Sequence, residues 1–211
     1  MSRWHLISRV WMVTAWGGTV IFTLLLIAVD WPEYWIHISS EKSVMGWLES
    51  VLLFACAFTA ALLASITYSD EVKGLRLWIW LVTSAGFAFL MLDERLMLHE
   101  QIRERFLEQT GIKLLPWMVE GDLLMPVYAL CGLAVTFYLY RELSSYRWSR
   151  SFLLVGIGVG IVAVGIDTIP GGDGLAAAEE LLEAGAILSI WSSMMMAVFS
   201  ELENRSRITN T

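Results

Sequence analysis

Long apolar runs separated by short polar segments make up most of this chain. Each of six runs approaches the ~20 apolar residues that an α-helix needs to cross a bilayer. They occupy residues 10–29, 44–66, 77–98, 115–140, 151–168 and 179–200. The pattern predicts an all-α integral membrane protein, a bundle of six transmembrane helices. Because the chain has four prolines and no low-complexity tract, we expect a single domain over residues 1–211.

Lysine and arginine positions set the expected orientation, since positive charge is retained on the cytoplasmic side of a membrane. One side of the threaded chain collects Arg3, Arg9, Lys73, Arg76, Arg141, Arg147, Arg150, Arg205 and Arg207. The opposite side has Lys42, Arg95, Arg103, Arg105 and Lys113. We therefore expect both termini to be cytoplasmic. In the fifth run, Gly156 and Gly160 lie about one helical turn apart and predict close packing against a neighbouring helix.

Acidic residues lie inside or at the edge of five of the six runs, all toward the outer side. They are Glu49, Asp93, Glu94, Glu120, Asp122, Asp167, Glu179, Glu180 and Glu183. A carboxylate at membrane depth is costly unless it is paired, protonated or bound to a metal. The cluster therefore predicts a functional polar site in the outer, periplasmic half of the bundle.

Helix capping is the competing interpretation for some of these acids. The second, fourth and sixth runs begin on the outer side, where the helix dipole stabilises a carboxylate in the first turn. For Glu179 and Glu180, helix capping and a binding role explain the position equally well. Helix capping is a weaker explanation for Glu49, Glu120 and Glu183, which lie beyond the first turn.

The segment after the third run, LDERLMLHEQIRERFLEQTG, reads as one helix that continues outward and ends at Gly111. In a continuous helix Asp93 and Glu100 would share one face, and Arg95 and His99 another. Arg95 would then neutralise a neighbouring acid. His99 is either an interfacial side chain or a general acid or base.

Carboxylates in this number favour a divalent cation as cofactor, either iron, manganese, calcium or zinc. Glu94 and His99 are the candidate catalytic residues, as general acid or base. The candidate metal ligands are Glu49, Asp93, Glu94, Glu100, Glu120, Glu180 and Glu183.

The LDE…HE helix end, with a glutamate in the preceding run, resembles small multi-pass proteins of the bacterial inner membrane. The resemblance implies that location and no particular activity. The nearest characterised analogy is the ceramidase-like membrane hydrolases, which hold a metal inside a helical bundle. The three histidines of this chain do not supply their ligand set, so their site is not carried over.

Composition narrows the classes of function further. The chain is 57% hydrophobic and 17% charged, with a net charge of −7, so nothing favours nucleic acid as a partner. The first hypothesis is a metal-dependent membrane enzyme that acts on a lipid or a small apolar substrate. The alternatives are a non-catalytic subunit bound to other membrane subunits, and a proton or cation carrier. A carrier would need polar residues that continue across the apolar inner halves of the runs.

Overall fold

The computed structural model describes residues 3–39, 43–69, 74–112, 124–167, 169 and 171–208, and this part of the chain is all-α. Its α-helices are α1 (Arg3–Val29), α2 (Val44–Ser69), α3 (Leu75–Leu96), α4 (Leu98–Ile102), α5 (Leu124–Glu142), α6 (Arg147–Asp167) and α7 (Asp173–Ile208). Within these described residues, five helices are long and apolar enough to cross a membrane, namely α1, α2, α3, α6 and α7. The chain thus has the helices of a membrane protein.

The fourth predicted span is described only in part. It was expected over residues 115–140, but residues 113–123 lie outside the described part of the chain. Its described portion is α5, which has 19 residues. The count of six spans and the cytoplasmic position of both termini therefore stay predictions.

Helix α7 is the centre of the bundle. It packs against α6, α2 and α1, while α2 also packs on α3, and α3 contacts α5. The main core lies where α2, α3, α6 and α7 meet, and its buried side chains include Cys56, Leu63, Trp80, Leu153 and Met194. Small residues let the helix backbones approach one another there, which is how helices associate in a membrane.

Gly156 lies where α6 packs tightly against α7. A Cβ atom at this position would lie 2.8 Å from Ile190 Cγ1 and 2.9 Å from the backbone oxygen of Ala186. At Gly160 the equivalent atom would lie at an ordinary 3.7 Å from Ala186 Cβ. The structure therefore has the close packing that the glycine spacing predicts, and Gly156 is the residue that permits it.

Helix α1 is attached to the bundle more loosely. Of its residues, Ser8 and Leu26 are buried. Its contacts with α7 rely on indole rings: Trp11 meets Trp191 edge-on at 4.8 Å between ring centroids, and Trp16 Nε1 donates to Ser192 Oγ at 3.0 Å. Anchoring at separated points leaves room between α1 and its neighbours.

The end of the bundle where α2 ends and α3 begins is held by ion pairs, and we call it the basic end. Arg76 of α3 pairs with Glu142 of α5 and, at 2.8 Å, with Glu201 of α7. Tyr146, between α5 and α6, donates a hydrogen bond to Glu201. Burial and the negative charge of Glu201 raise the pKa of the Tyr146 phenol, so this hydroxyl stays a hydrogen-bond donor.

The expectation of one continuous helix through residues 92–111 is wrong. Helix α3 ends at Leu96, and Met97 adopts a left-handed conformation with φ 52° and ψ 44° before α4 begins at Leu98. A π-helical turn and a 3-10 turn follow α4. The predicted end at Gly111 is confirmed, since this glycine has a φ of 63° and so takes the left-handed position that commonly ends a helix.

Candidate carboxylate site

Three glutamates meet between α2 and α7. Ligand oxygens of Glu49, Glu180 and Glu183 all lie within 4.8 Å of one another. Glu180 and Glu183 are three residues apart on α7 and therefore share a helical face, which packs toward Glu49 on α2. We call these three residues the glutamate triad. The sequence pattern predicts all three as metal ligands.

The capping interpretation does not account for the triad. Helix α7 begins at Asp173 rather than near residue 179, so Asp173 occupies the first turn. Glu180 and Glu183 consequently lie beyond the turn where the helix dipole stabilises a carboxylate. Their position needs another explanation.

Glu49 is the most buried member of the triad. Its side chain is 1% exposed, and its Oε1 atom has no hydrogen-bond partner within the described part of the protein. One carboxylate oxygen of Glu49 lies within 4.8 Å of a carboxylate oxygen of Glu180 and of one of Glu183. Glu180 and Glu183 are part-buried. Three carboxyl groups this close repel one another when all are ionised, so a proton or a bound cation is needed to offset their charge.

Further acids surround the triad at the same end of the bundle, opposite the basic end. Glu94, from the last turn of α3, lies within electrostatic range of Glu49, Glu180 and Glu183. Asp167, at the end of α6, interacts with Glu183 in the same way. Four helices therefore contribute negative charge to one region, which we call the carboxylate end.

Asp93 is buried beside Glu94 but belongs to a different group of side chains. Its Oδ1 accepts the backbone N–H of His99 at 2.8 Å, and its Oδ2 accepts Nδ1–H of the His99 ring at 2.9 Å. The Tyr128 ring of α5 meets the His99 ring edge-on, with 6.4 Å between the ring centroids. The break at Met97 makes this arrangement possible, because it turns α4 so that its start faces the Asp93 carboxylate.

The pairing of Asp93 with His99 was missed by sequence analysis. Six residues along a continuous helix would place these side chains on different faces, and only the left-handed Met97 brings them together. A carboxylate on Nδ1 fixes the tautomer and orientation of the imidazole and leaves Nε2 as the nitrogen available for chemistry. The side chain of His99 is part-exposed.

The remaining predicted site residues lie elsewhere. Glu100 is 3.7 Å from Arg103, an ion pair one turn along the chain. Arg95, expected to neutralise Glu94 or Asp93, instead stacks on the Trp47 ring at 4.2 Å. Glu120 lies outside the described residues.

Comparison with known proteins identifies a family without assigning an activity. No curated protein and no solved structure matches the chain. A family described as a domain of unknown function, DUF8692, matches residues 8–198, a range that includes the glutamate triad, Glu94 and the Asp93–His99 pair. The chain therefore belongs to the DUF8692 family.

Proposed function

We propose that this protein binds a divalent cation through the glutamate triad, inside a transmembrane helical bundle. The observation that carries the proposal is the Glu49 carboxylate: its buried Oε1 lacks a hydrogen-bond partner among the described residues, and one of its oxygens lies within 4.8 Å of a carboxylate oxygen of Glu180 and of one of Glu183. A cation among these oxygens would satisfy that atom and offset the repulsion between the three charges. Glu94 is the nearest candidate for a fourth ligand.

The donor set favours hard or borderline cations. Oxygen atoms from three or four carboxylates suit calcium, manganese and iron. Zinc prefers nitrogen and sulfur donors alongside oxygen, and His99 is the nitrogen donor nearest to Glu94 along the chain. We therefore place zinc after the other three.

In the first version of this proposal the bound cation serves an enzymatic reaction. A bound divalent cation supplies Lewis acidity and can activate a bound water. At the same end of the bundle, the part-exposed imidazole of His99 is oriented by Asp93, as suits a general acid or base. Glu94 is the second candidate for that role. The substrate would be a lipid or a small apolar molecule that reaches the site from the membrane.

A second candidate function is proton binding without a metal. The burial of Glu49 next to two other carboxyl groups favours it, because a desolvated carboxyl group with acidic neighbours can be held in its protonated form. In that case the triad would serve a carrier, or a subunit of a larger membrane complex. Metal analysis separates the two candidates.

Elemental analysis of the purified full-length protein is the direct test. We expect close to one equivalent of iron, manganese or calcium per chain. Chelation should lower the melting temperature by about 5 °C, and restoring the metal should reverse the loss, since a ligand held well above its Kd contributes roughly 2–3 kcal/mol. Absence of metal, together with a melting temperature that ignores chelators and rises on acidification, would favour the proton candidate.

The orientation of the bundle is a separate expected outcome. Positive charge at the basic end predicts that the carboxylate end is periplasmic. Reporter fusions after Glu108 and after Ser145 should read outside and inside, respectively. The opposite pattern would place the glutamate triad on the cytoplasmic side.

A further inference from the structure

A cavity of about 750 Å³ opens at the basic end of the bundle, far from the glutamate triad. Residues of α1, of the start of α6 and of the last third of α7 line it. Its volume is within the range of about 300–1,000 Å³ that is typical of ligand sites. The loose attachment of α1 to the bundle accounts for this space.

The lining of the cavity changes from polar to apolar in the same direction on all three helices. Arg9 on α1, Ser149 on α6 and Glu203 on α7 supply polar groups, and Met12, Phe152 and Phe199 lie about one turn closer to the middle of the same helices. Each step of three or four residues is a rise of about 5 Å. The cavity is therefore polar at its mouth and apolar within the membrane.

Ser149 is the observation that points to a ligand. The residue is 0% exposed, it lines the cavity, and its Oγ atom has no hydrogen-bond partner within the described part of the chain. A buried hydroxyl is almost always hydrogen-bonded. Ser149 also belongs to the first turn of α6, where backbone N–H groups and the helix dipole favour an anion.

The charges around the mouth are compatible with an anion. Arg9 is exposed and forms no ion pair with any residue that the structure describes. Glu203 is already compensated, since Arg207 Nη2 lies 2.9 Å from its Oε1 and His5 Nε2 lies 4.0 Å from its Oε2. Arg9 therefore remains as positive charge available at the mouth.

We propose that this cavity binds an anionic phospholipid. The phosphate accepts hydrogen bonds from Ser149 Oγ and from Arg9 at the polar mouth, next to the start of α6. One acyl chain follows the apolar wall formed by Met12, Phe152 and Phe199. This inference is independent of the proposed cation site, which lies at the opposite end of the bundle.

Thermal unfolding of the detergent-purified full-length protein tests the proposal, with lipid added in mixed micelles. Phosphatidylglycerol should raise the melting temperature more than phosphatidylcholine at equal concentration, and inorganic phosphate alone should have little effect. Arg9→Gln should weaken the response to phosphatidylglycerol about fivefold in lipid concentration, the usual contribution of one basic residue near an anionic headgroup. Ser149→Ala should weaken it as well.

Arg3→Gln is the matched control, because Arg3 is an exposed arginine of the same helix that does not line the cavity. It should respond like the unmodified protein. An equal response to both lipids, an effect of inorganic phosphate as large as that of the lipid, an unchanged response in Arg9→Gln, or no response at all would each overturn the proposal. These readings do not depend on metal content.

Discussion

Replacing Glu49 with glutamine is expected to remove most of the bound cation and to lower the melting temperature of the purified protein. The substitution keeps the shape of the side chain and deletes the charge of one carboxylate that is almost fully buried. A cation that loses a carboxylate ligand should bind at least 100-fold more weakly, since even the outer partners of metal ligands contribute 10–100-fold. Metal content by elemental analysis and unfolding in detergent measure both effects.

Glu183→Gln should give the same result, because Glu183 belongs to the same triad. Glu108→Gln is the control: Glu108 is an exposed carboxylate beyond α4, and its loss should change neither quantity. If Glu49→Gln instead leaves the metal content unchanged and raises the melting temperature, repulsion has been relieved in a cluster that binds no cation. The triad would then be a protonated group.

Gly156→Val is expected to destabilise the bundle more than any other single small-to-large change among the described glycines of α6. Its new Cβ would lie 2.9 Å from a backbone oxygen of α7, and a backbone atom cannot move aside as a flexible side chain can. Overpacking a tight contact costs typically 1–3 kcal/mol and sometimes more, and the γ-methyl groups of valine add to the clash. We expect a loss of about 3 kcal/mol in the free energy of unfolding.

Gly158→Val provides the comparison within the same helix. Nothing lies within 4 Å of a Cβ built at Gly158, and the residue is exposed on the outside of the bundle. We expect a change within about 0.5 kcal/mol, as for a surface substitution. Similar losses at Gly156 and Gly158 would mean that helix propensity, and not the contact with α7, determines stability there.

The hydrophobic pattern predicts the five helices of spanning length that the described residues contain, and the acids within it include the three glutamates that meet. Apolar runs of spanning length are a strong local signal, and carboxylates inside them are rare enough to indicate where a site lies. Glu49, Glu180 and Glu183 were therefore found without knowledge of packing. Their mutual approach depends only on α2 and α7 being neighbours with both starts at the same end.

The surroundings of His99 could not be predicted in the same way. Met97 is not a residue whose type demands a left-handed conformation, so the local sequence favours a continuous helix. Two contacts stabilise the break at Met97. The Asp93 carboxylate accepts the backbone N–H of His99 at the start of α4, and the Tyr128 ring of α5 packs against the His99 ring. Sequence spacing alone contains no information about such contacts.

The length of α7 has a mechanical consequence. Its 36 residues extend about 54 Å, whereas the hydrocarbon core of a bilayer is about 30 Å thick. The helix must therefore tilt, or extend beyond the core into the headgroup region and water. Glu180 and Glu183 lie near the start of this helix, and Phe199 and Glu203 lie near its end. A change in bilayer thickness that tilts α7 therefore moves both ends of the helix together. Membrane thickness thus affects both the depth of the carboxylates in the bilayer and the mouth of the cavity.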